Sequence, residues 1–248
     1  WVPLRCSLLP LPGDRESESE SVPSPPLRYD RIFLVGTSET RRLFGQLCTR
    51  FAHRVVDLYK DTSRSSCGPF EFVTLCGGPE LFVKAGCHSE CSNLKHTVDV
   101  IHRSSKPLTE RDLVVYHCGL HEYQISLSER RDQYRALRDI FFSSDVPSEW
   151  LLRTTNAVNP RLATGPSQCP DSNVHEREAV LRNNVRLAAH SAAMDEVIPT
   201  ENLIDVYHLT AAIWSLSQDH VHYPYWVYDA LAQVHLTVWS DLPASGNA

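Results

Sequence analysis

At 248 residues the chain is long enough for one large domain or two small ones, at roughly 100–200 residues per domain. Its composition, 42% hydrophobic and 22% charged, is that of a polypeptide able to bury a core, which excludes disorder throughout. The net charge of −6, with Lys and Arg scattered rather than gathered in a stripe, argues against nucleic acid as a partner.

No stretch reaches the ~20 apolar residues needed to cross a bilayer. Membrane attachment is therefore expected only through a segment outside this chain. With neither an initiating Met nor a basic, apolar leader before it, Trp1 is expected to open a fragment or a lumenal domain. The eight cysteines, Cys6, Cys48, Cys67, Cys76, Cys87, Cys91, Cys118 and Cys169, are even in number and fall mostly in expected loops. That usage favours disulfides and an oxidising compartment over reduced thiols. Cys48 and Cys118 lie in apolar segments and are expected to be small buried residues.

The run GDRESESESVPSPP at 13–26 cannot bury enough apolar area to offset the entropy of ordering, so residues 1–29 read as an acidic, Pro-rich linker. The expected domain is 30–240, with 241–248 a tail. It opens on IFLV at 32–35, a short apolar run closed by Gly36 and suited to a strand buried on both faces. Leu43, Leu47 and Phe51 then recur every four residues, predicting a helix over 39–51. RVVDLY at 54–59 and FEFVTL at 70–75 look like strands, whereas CGGPELFVKAGCHSECSNL at 76–94 looks irregular.

LVVYH at 113–117 predicts a strand, and the segment from Ser128 a helix with that serine as N-cap. WLLRT at 150–154 predicts a third strand, followed by a Pro-, Gly- and Ser-rich loop over 159–173. EREAVLRNNVRLAAHSAAM at 176–194 carries strong helix formers. NLIDVYHL at 202–209 is the last strand expected, and 225–238 a closing helix. Strands alternating with helices imply an α/β fold with a mostly parallel sheet and a ligand site beyond the carboxyl ends of its strands.

Three segments follow expected strands, where such a fold puts reactive groups. In VGTSETR, Ser38 sits on the strand-to-helix turn, near a helix N-terminus that stabilises developing negative charge. In CGLHEY, Gly119 permits close backbone approach and His121 offers a side-chain donor. In DHVHY, the spacing of Asp219 and His222 lets a carboxylate accept from Nδ1–H while Nε2 takes a proton from a serine. Read singly, each has a plain alternative: an N-cap serine, an exposed loop histidine, and a surface Asp–His pair or metal ligation by His220 and His222.

Taken together, GTSETR, CGLHEY and DHVHYPYW resemble the Gly-Asp-Ser-x-x-Arg, Gly-x-His and Asp-x-x-His blocks of the PC-esterase branch of the SGNH hydrolases. That branch includes the trichome-birefringence-like polysaccharide O-acetyltransferases. LIDVYHLT at 203–210 is similar to the strand that precedes the last block in that family, so the likeness spans 31–239. It implies a three-layer α/β/α sandwich of the SGNH, flavodoxin-like type. It also implies an esterase or O-acetyltransferase acting on a glycan through an acyl-serine, without a cofactor, in the secretory pathway, the Golgi lumen or outside the cell.

The resemblance assigns Ser38 as nucleophile, His222 as general base and then acid, and Asp219 as the group orienting His222. His121 takes an oxyanion-donor position. The Ser38 N–H and one from Gly77 or Gly78 complete the oxyanion hole, Gly119 lies near it, and Arg41 holds the turn or contacts substrate. One departure stands out: the family's Asp before the nucleophile is Thr37 here, whose hydroxyl is expected to bond locally. That loss makes a degenerate glycan- or protein-binding module the alternative. A metal-binding domain using Cys87, His88, Cys91 and His96 lacks a second Cys pair at zinc-ribbon spacing. Tyr223, Tyr225, Trp226 and Tyr228 read either as core packing or as a sugar-stacking platform.

Overall fold

A computed structural model describes residues 27–52, 64–74, 107–119, 125–142, 148–162 and 183–241. Outside them lie most of the expected linker, the 54–59 run, the irregular 76–94 segment, most of the 159–173 loop, and the tail beyond Asp241.

Arg31–Gly36 forms β1, and the unbroken apolar succession Ile32, Phe33, Leu34, Val35 is buried at every position, as a strand covered on both faces requires. Helix α1 (Ser38–Ala52) follows at once. Next come β2 (Arg64–Cys67) and β3 (Phe70–Thr74), a tight hairpin that turns through Gly68 at φ 52°. Then follow β4 (Asp112–His117), α2 (Leu127–Phe141), β5 (Glu149–Arg153) and α3 (Asn184–Asp195). The described part of the chain ends with β6 (Leu203–Ile204), α4 (Val206–Ala211) and α5 (Tyr225–Asp241).

Among the described residues the strands make one six-stranded sheet in the order β2-β3-β1-β4-β5-β6. All neighbours are parallel except β2 with β3. Ile32 and Leu34 pack with Phe44, Leu47, Leu231 and Trp239, while Phe33 and Val35 pack with Leu137, Phe141, Ala193 and Met194. Alternate strand residues face opposite sides, so α1 and α5 cover one face of the sheet and α2 and α3 the other. Each Leu or Phe withdrawn from water in these clusters contributes about 1.5–3 kcal/mol.

Two expectations about element ends are corrected. The run at 202–209 is not one strand: only Leu203 and Ile204 pair with β5. The Asp205 carboxylate accepts the His208 N–H at 3.1 Å and caps α4, turning the chain into a helix where β-branched residues suggested extension. The cap of α2 is Ser126, not Ser128. Ser126 accepts from the Glu129 N–H, and the Glu129 carboxylate accepts the Ser126 N–H in return, a reciprocal capping box.

Cys48 on α1 is disulfide-bonded to Cys67 at the end of β2, and Cys118 is disulfide-bonded as well. Both are buried, as their apolar settings suggested, and both are paired as well. Apolar neighbours put the sulfur in the core, but its partner is decided by a distant segment, here the hairpin laid beside α1. Cross-linking residues 19 apart restricts the unfolded chain and contributes about 3 kcal/mol. The bond fits an oxidising compartment. No helix among the described residues is long and apolar enough to cross a membrane.

Candidate active site

The chain passes from β1 to β3 on one side and then crosses to β4 on the other, and at such a reversal of strand order α/β sheets form their ligand crevice, here at the carboxyl ends of β1 and β4. Ser38 enters that crevice from the turn after β1. A Cβ on Gly36 would lie 2.2 Å from Thr40 Oγ1 and 2.8 Å from its Cβ, so only glycine lets the first turn of α1 fold so tightly onto the strand. Thr40 has little freedom to retreat, because its hydroxyl is 3.0 Å from His117 Nδ1. Gly36→Ala is expected to cost about 1–3 kcal/mol, measured as a lower urea midpoint at unchanged m-value; an unchanged midpoint would show that Thr40 yields freely.

Arg41 N–H donates to the Thr37 carbonyl at 2.9 Å, so the helix begins there and Ser38 is its first full member. The Ser38 N–H consequently belongs to the first turn, whose amide protons have no acceptor within the helix and carry its positive end.

The partner of Ser38 arrives from the loop before α5. Ser38 Oγ donates to His222 Nε2 at 2.7 Å across 184 residues of sequence, and His222 Nδ1–H donates to Asp219 Oδ2 at 2.8 Å. The loop is fixed from within. Asp219 Oδ1 accepts the Val221 and His222 N–H groups at 2.8 and 2.7 Å, and the Ser217 hydroxyl is within bonding distance of the Asp219 and His222 carbonyls. It is also fixed from without. His220 and Asn159 exchange backbone and ring contacts at 2.9 and 3.1 Å, Tyr223 Oη donates to the Ala157 carbonyl at 2.8 Å, and Arg42 donates to the Tyr223 carbonyl at 3.3 Å. The segment after β5 and the first turn of α1 thus hold the histidine over the serine.

Partial burial by itself would raise the Asp219 carboxyl. The hydrogen bonds from His222 and Val221, with attraction to the imidazole, outweigh it and hold that carboxyl well below the usual carboxylate range. A carboxyl depressed on folding adds stability above its unfolded pKa of about 3.9 and loses it as pH falls through the folded value. The ionised state that orients His222 is therefore present across the whole neutral and mildly acid range.

The other expected site residues divide. Gly119 follows β4 on the same edge of the sheet at φ 106°, and a Cβ there would meet the Arg130 guanidinium at 3.4 Å. Gly77, Gly78 and His121 lie outside the described residues, as do Cys87, His88, Cys91 and His96. The Arg41 side chain makes no hydrogen bond or ion pair among the described residues; the neighbouring Arg42 joins α1 to the histidine loop and sits over the Tyr225 ring at 5.9 Å. The aromatic group splits: Tyr223 and Tyr228 are core, whereas Tyr225 and Trp226 are 47% and 58% exposed beside the loop. Among the described residues no cluster of His, Cys, Asp and Glu is arranged to hold a metal ion, and both ring nitrogens of His222 are engaged.

Thr37 does not bond locally as expected. Its hydroxyl is buried and has no hydrogen-bond partner among the described residues. What lies inside the turn instead is Glu39, wholly buried, with Oε2 3.4 Å from His117 Nε2 and 3.7 Å from Arg153 Nη1. Arg153 in turn donates to Asn156 Oδ1 at 2.6 Å. Burial pushes the Glu39 carboxyl up, against the opposing attraction of Arg153 and His222. Nothing in the sequence marks these residues: a Glu in a first helical turn is ordinarily a solvated complement to the helix dipole, and Arg153 reads as the polar end of a strand.

A hydroxyl donating to an imidazole whose other nitrogen is held by a carboxylate is an arrangement for making an oxygen nucleophile near neutral pH. No protein-family model and no curated protein sequence matches this chain.

Proposed function

We propose that the chain is a serine acyl-ester enzyme, an esterase or O-acyltransferase of the PC-esterase type, acting on an acylated glycan. The observation that carries the reading is the unbroken chain of contacts from Ser38 Oγ through His222 to Asp219, at 2.7 and 2.8 Å. It is supported by the strand order, in which β3-β1-β4-β5-β6 follows the doubly wound pattern with its crevice at the β1/β4 switch.

In this reading Ser38 Oγ attacks the acyl carbonyl while its proton passes to His222 Nε2. Asp219 stabilises the imidazolium, and the oxyanion of the tetrahedral intermediate meets the Ser38 N–H at the helix start. Collapse expels the alcohol, which takes the proton back from His222 and leaves an acyl-serine. Water or a sugar hydroxyl then repeats the sequence in reverse roles. By the resemblance the acyl group is acetyl, and the compartment is the Golgi lumen or the extracellular space.

The test is incubation with a fluorophosphonate probe followed by peptide mass spectrometry. Label is expected on Ser38 in the wild type and none in Ser38→Ala. A folded protein that takes up no label would instead favour a non-catalytic binding module, the reading that a Thr37 hydroxyl without a partner among the described residues would suit.

A further inference from the structure

The reaction just described needs the Ser38 hydroxyl to stay aimed at His222, and that aim is only as steady as the first turn of α1. The two residues after the nucleophile, Glu39 and Thr40, are buried beneath that turn. Both meet the same side chain. His117, the last residue of β4 and itself fully buried, has Nδ1 3.0 Å from the Thr40 hydroxyl and Nε2 3.4 Å from Glu39 Oε2. Its Nε2 is also 3.4 Å from the hydroxyl of Thr155, just beyond β5. Of these three contacts only the one to Thr40 has the length of a strong hydrogen bond.

An imidazole placed in the interior costs free energy unless polar groups answer its nitrogens, so one that merely filled space would be replaced to advantage by an apolar side chain. A hydroxyl can answer Nδ1 in either tautomer, as donor or as acceptor. Thr40 is held from the opposite direction as well. Its Oγ1 stands 2.2 Å from where a Gly36 Cβ would fall, and the register that pairs Val35 with Tyr116 sets His117 alongside the end of β1. The turn is therefore gripped between β1 and β4, two residues after Ser38.

We infer that His117 is a positioning residue for Ser38: through its bond to Thr40 it fixes the first turn of α1, and with it the direction in which the Ser38 hydroxyl points at His222. His117 touches neither substrate nor the reacting atoms; it acts through Thr40. The inference rests on the proposed Ser38–His222 chemistry. A nucleophile displaced by about 1 Å reacts roughly 10²-fold more slowly, although a ligand beside it is bound as before.

The experiment follows fluorophosphonate labelling of Ser38 to saturation, which separates the maximal rate from the half-saturating probe concentration, and measures the urea midpoint of each variant. Thr40→Val keeps the shape of the side chain and removes the hydroxyl. It is expected to lower the maximal rate by about 10–100-fold with the half-saturating concentration unchanged. Thr40→Ser returns the hydroxyl and is expected to recover most of the rate. At His117, asparagine puts an amide where Nδ1 stands and glutamine puts one near Nε2. His117→Asn is expected to label close to the wild-type rate and His117→Gln to be as slow as Thr40→Val. The double variant Thr40→Val/His117→Gln is expected to be no slower than the slower single one, because both changes break the same bond.

A Thr40→Val protein with a lower urea midpoint but the wild-type maximal rate, or equal rates in His117→Asn and His117→Gln, overturns the inference and leaves the Ser38 chemistry standing. If Thr40→Val fails to fold, the comparison of the two His117 variants decides. Unlabelled wild-type protein overturns both.

Discussion

Alanine at His222 is expected to slow phosphonylation of Ser38 by about 10⁶-fold, the loss seen when the base of a serine triad is removed. Asparagine at Asp219 is expected to slow it by about 10⁴-fold, because the imidazole is then held in the wrong tautomer rather than lost. Neither change should lower the urea midpoint much, since both side chains sit on the loop between α4 and α5 and the Asp219 side chain is half exposed. The two magnitudes matter as a pair. Equal, small losses would mean that Ser38 reacts without the histidine, and the 2.7 Å contact would then be an ordinary surface hydrogen bond.

Methionine at Arg153 is expected to destabilise the fold by about 3–5 kcal/mol, measured by equilibrium urea unfolding. The change strands the Glu39 carboxylate in the core, and such a group neutralises itself by taking up a proton or forces water inward. Removing both charges together with Glu39→Gln/Arg153→Met should recover most of the loss, since an apolar replacement for a buried pair is often neutral. A double variant as unstable as the single one would show that Arg153 matters through its bond to Asn156 instead.

The sheet and the three chief site residues are the parts that local pattern could reveal. β1, β4 and β5 are continuous apolar runs because both of their faces are covered, and such runs carry their own signature. Ser38 stands immediately beyond one of these strands, so its place at the sheet rim follows from where the strand ends. Asp219 and His222 need only their spacing of three to meet.

The misreadings have a different cause. Asp205 stops a strand in the middle of a β-branched run because its carboxylate can cap a helix, and that choice between sheet and cap is settled by packing against β5. Ser126 and Glu129 did form a legible capping pair, but the serine two residues later competed for the same role. Glu39 and Arg153 were opaque for a deeper reason: burying a charge depends on a partner far away in sequence, and no local periodicity records it. The same holds for Cys48 and Cys67, whose pairing depends on how a hairpin is laid across the sheet edge.

That hairpin shields more than the core. Among the described residues, β2, four residues long, is the strand that covers the outer side of β3, and its last residue is the one fastened to α1. In a thiol-rich medium the fastening opens and the cover loosens, leaving Phe70–Thr74 with a row of unsatisfied peptide groups on which a strand from another molecule can zip. The first sign of a reducing environment would then be cloudiness in the tube, ahead of any change in chemistry at the far end of the strands.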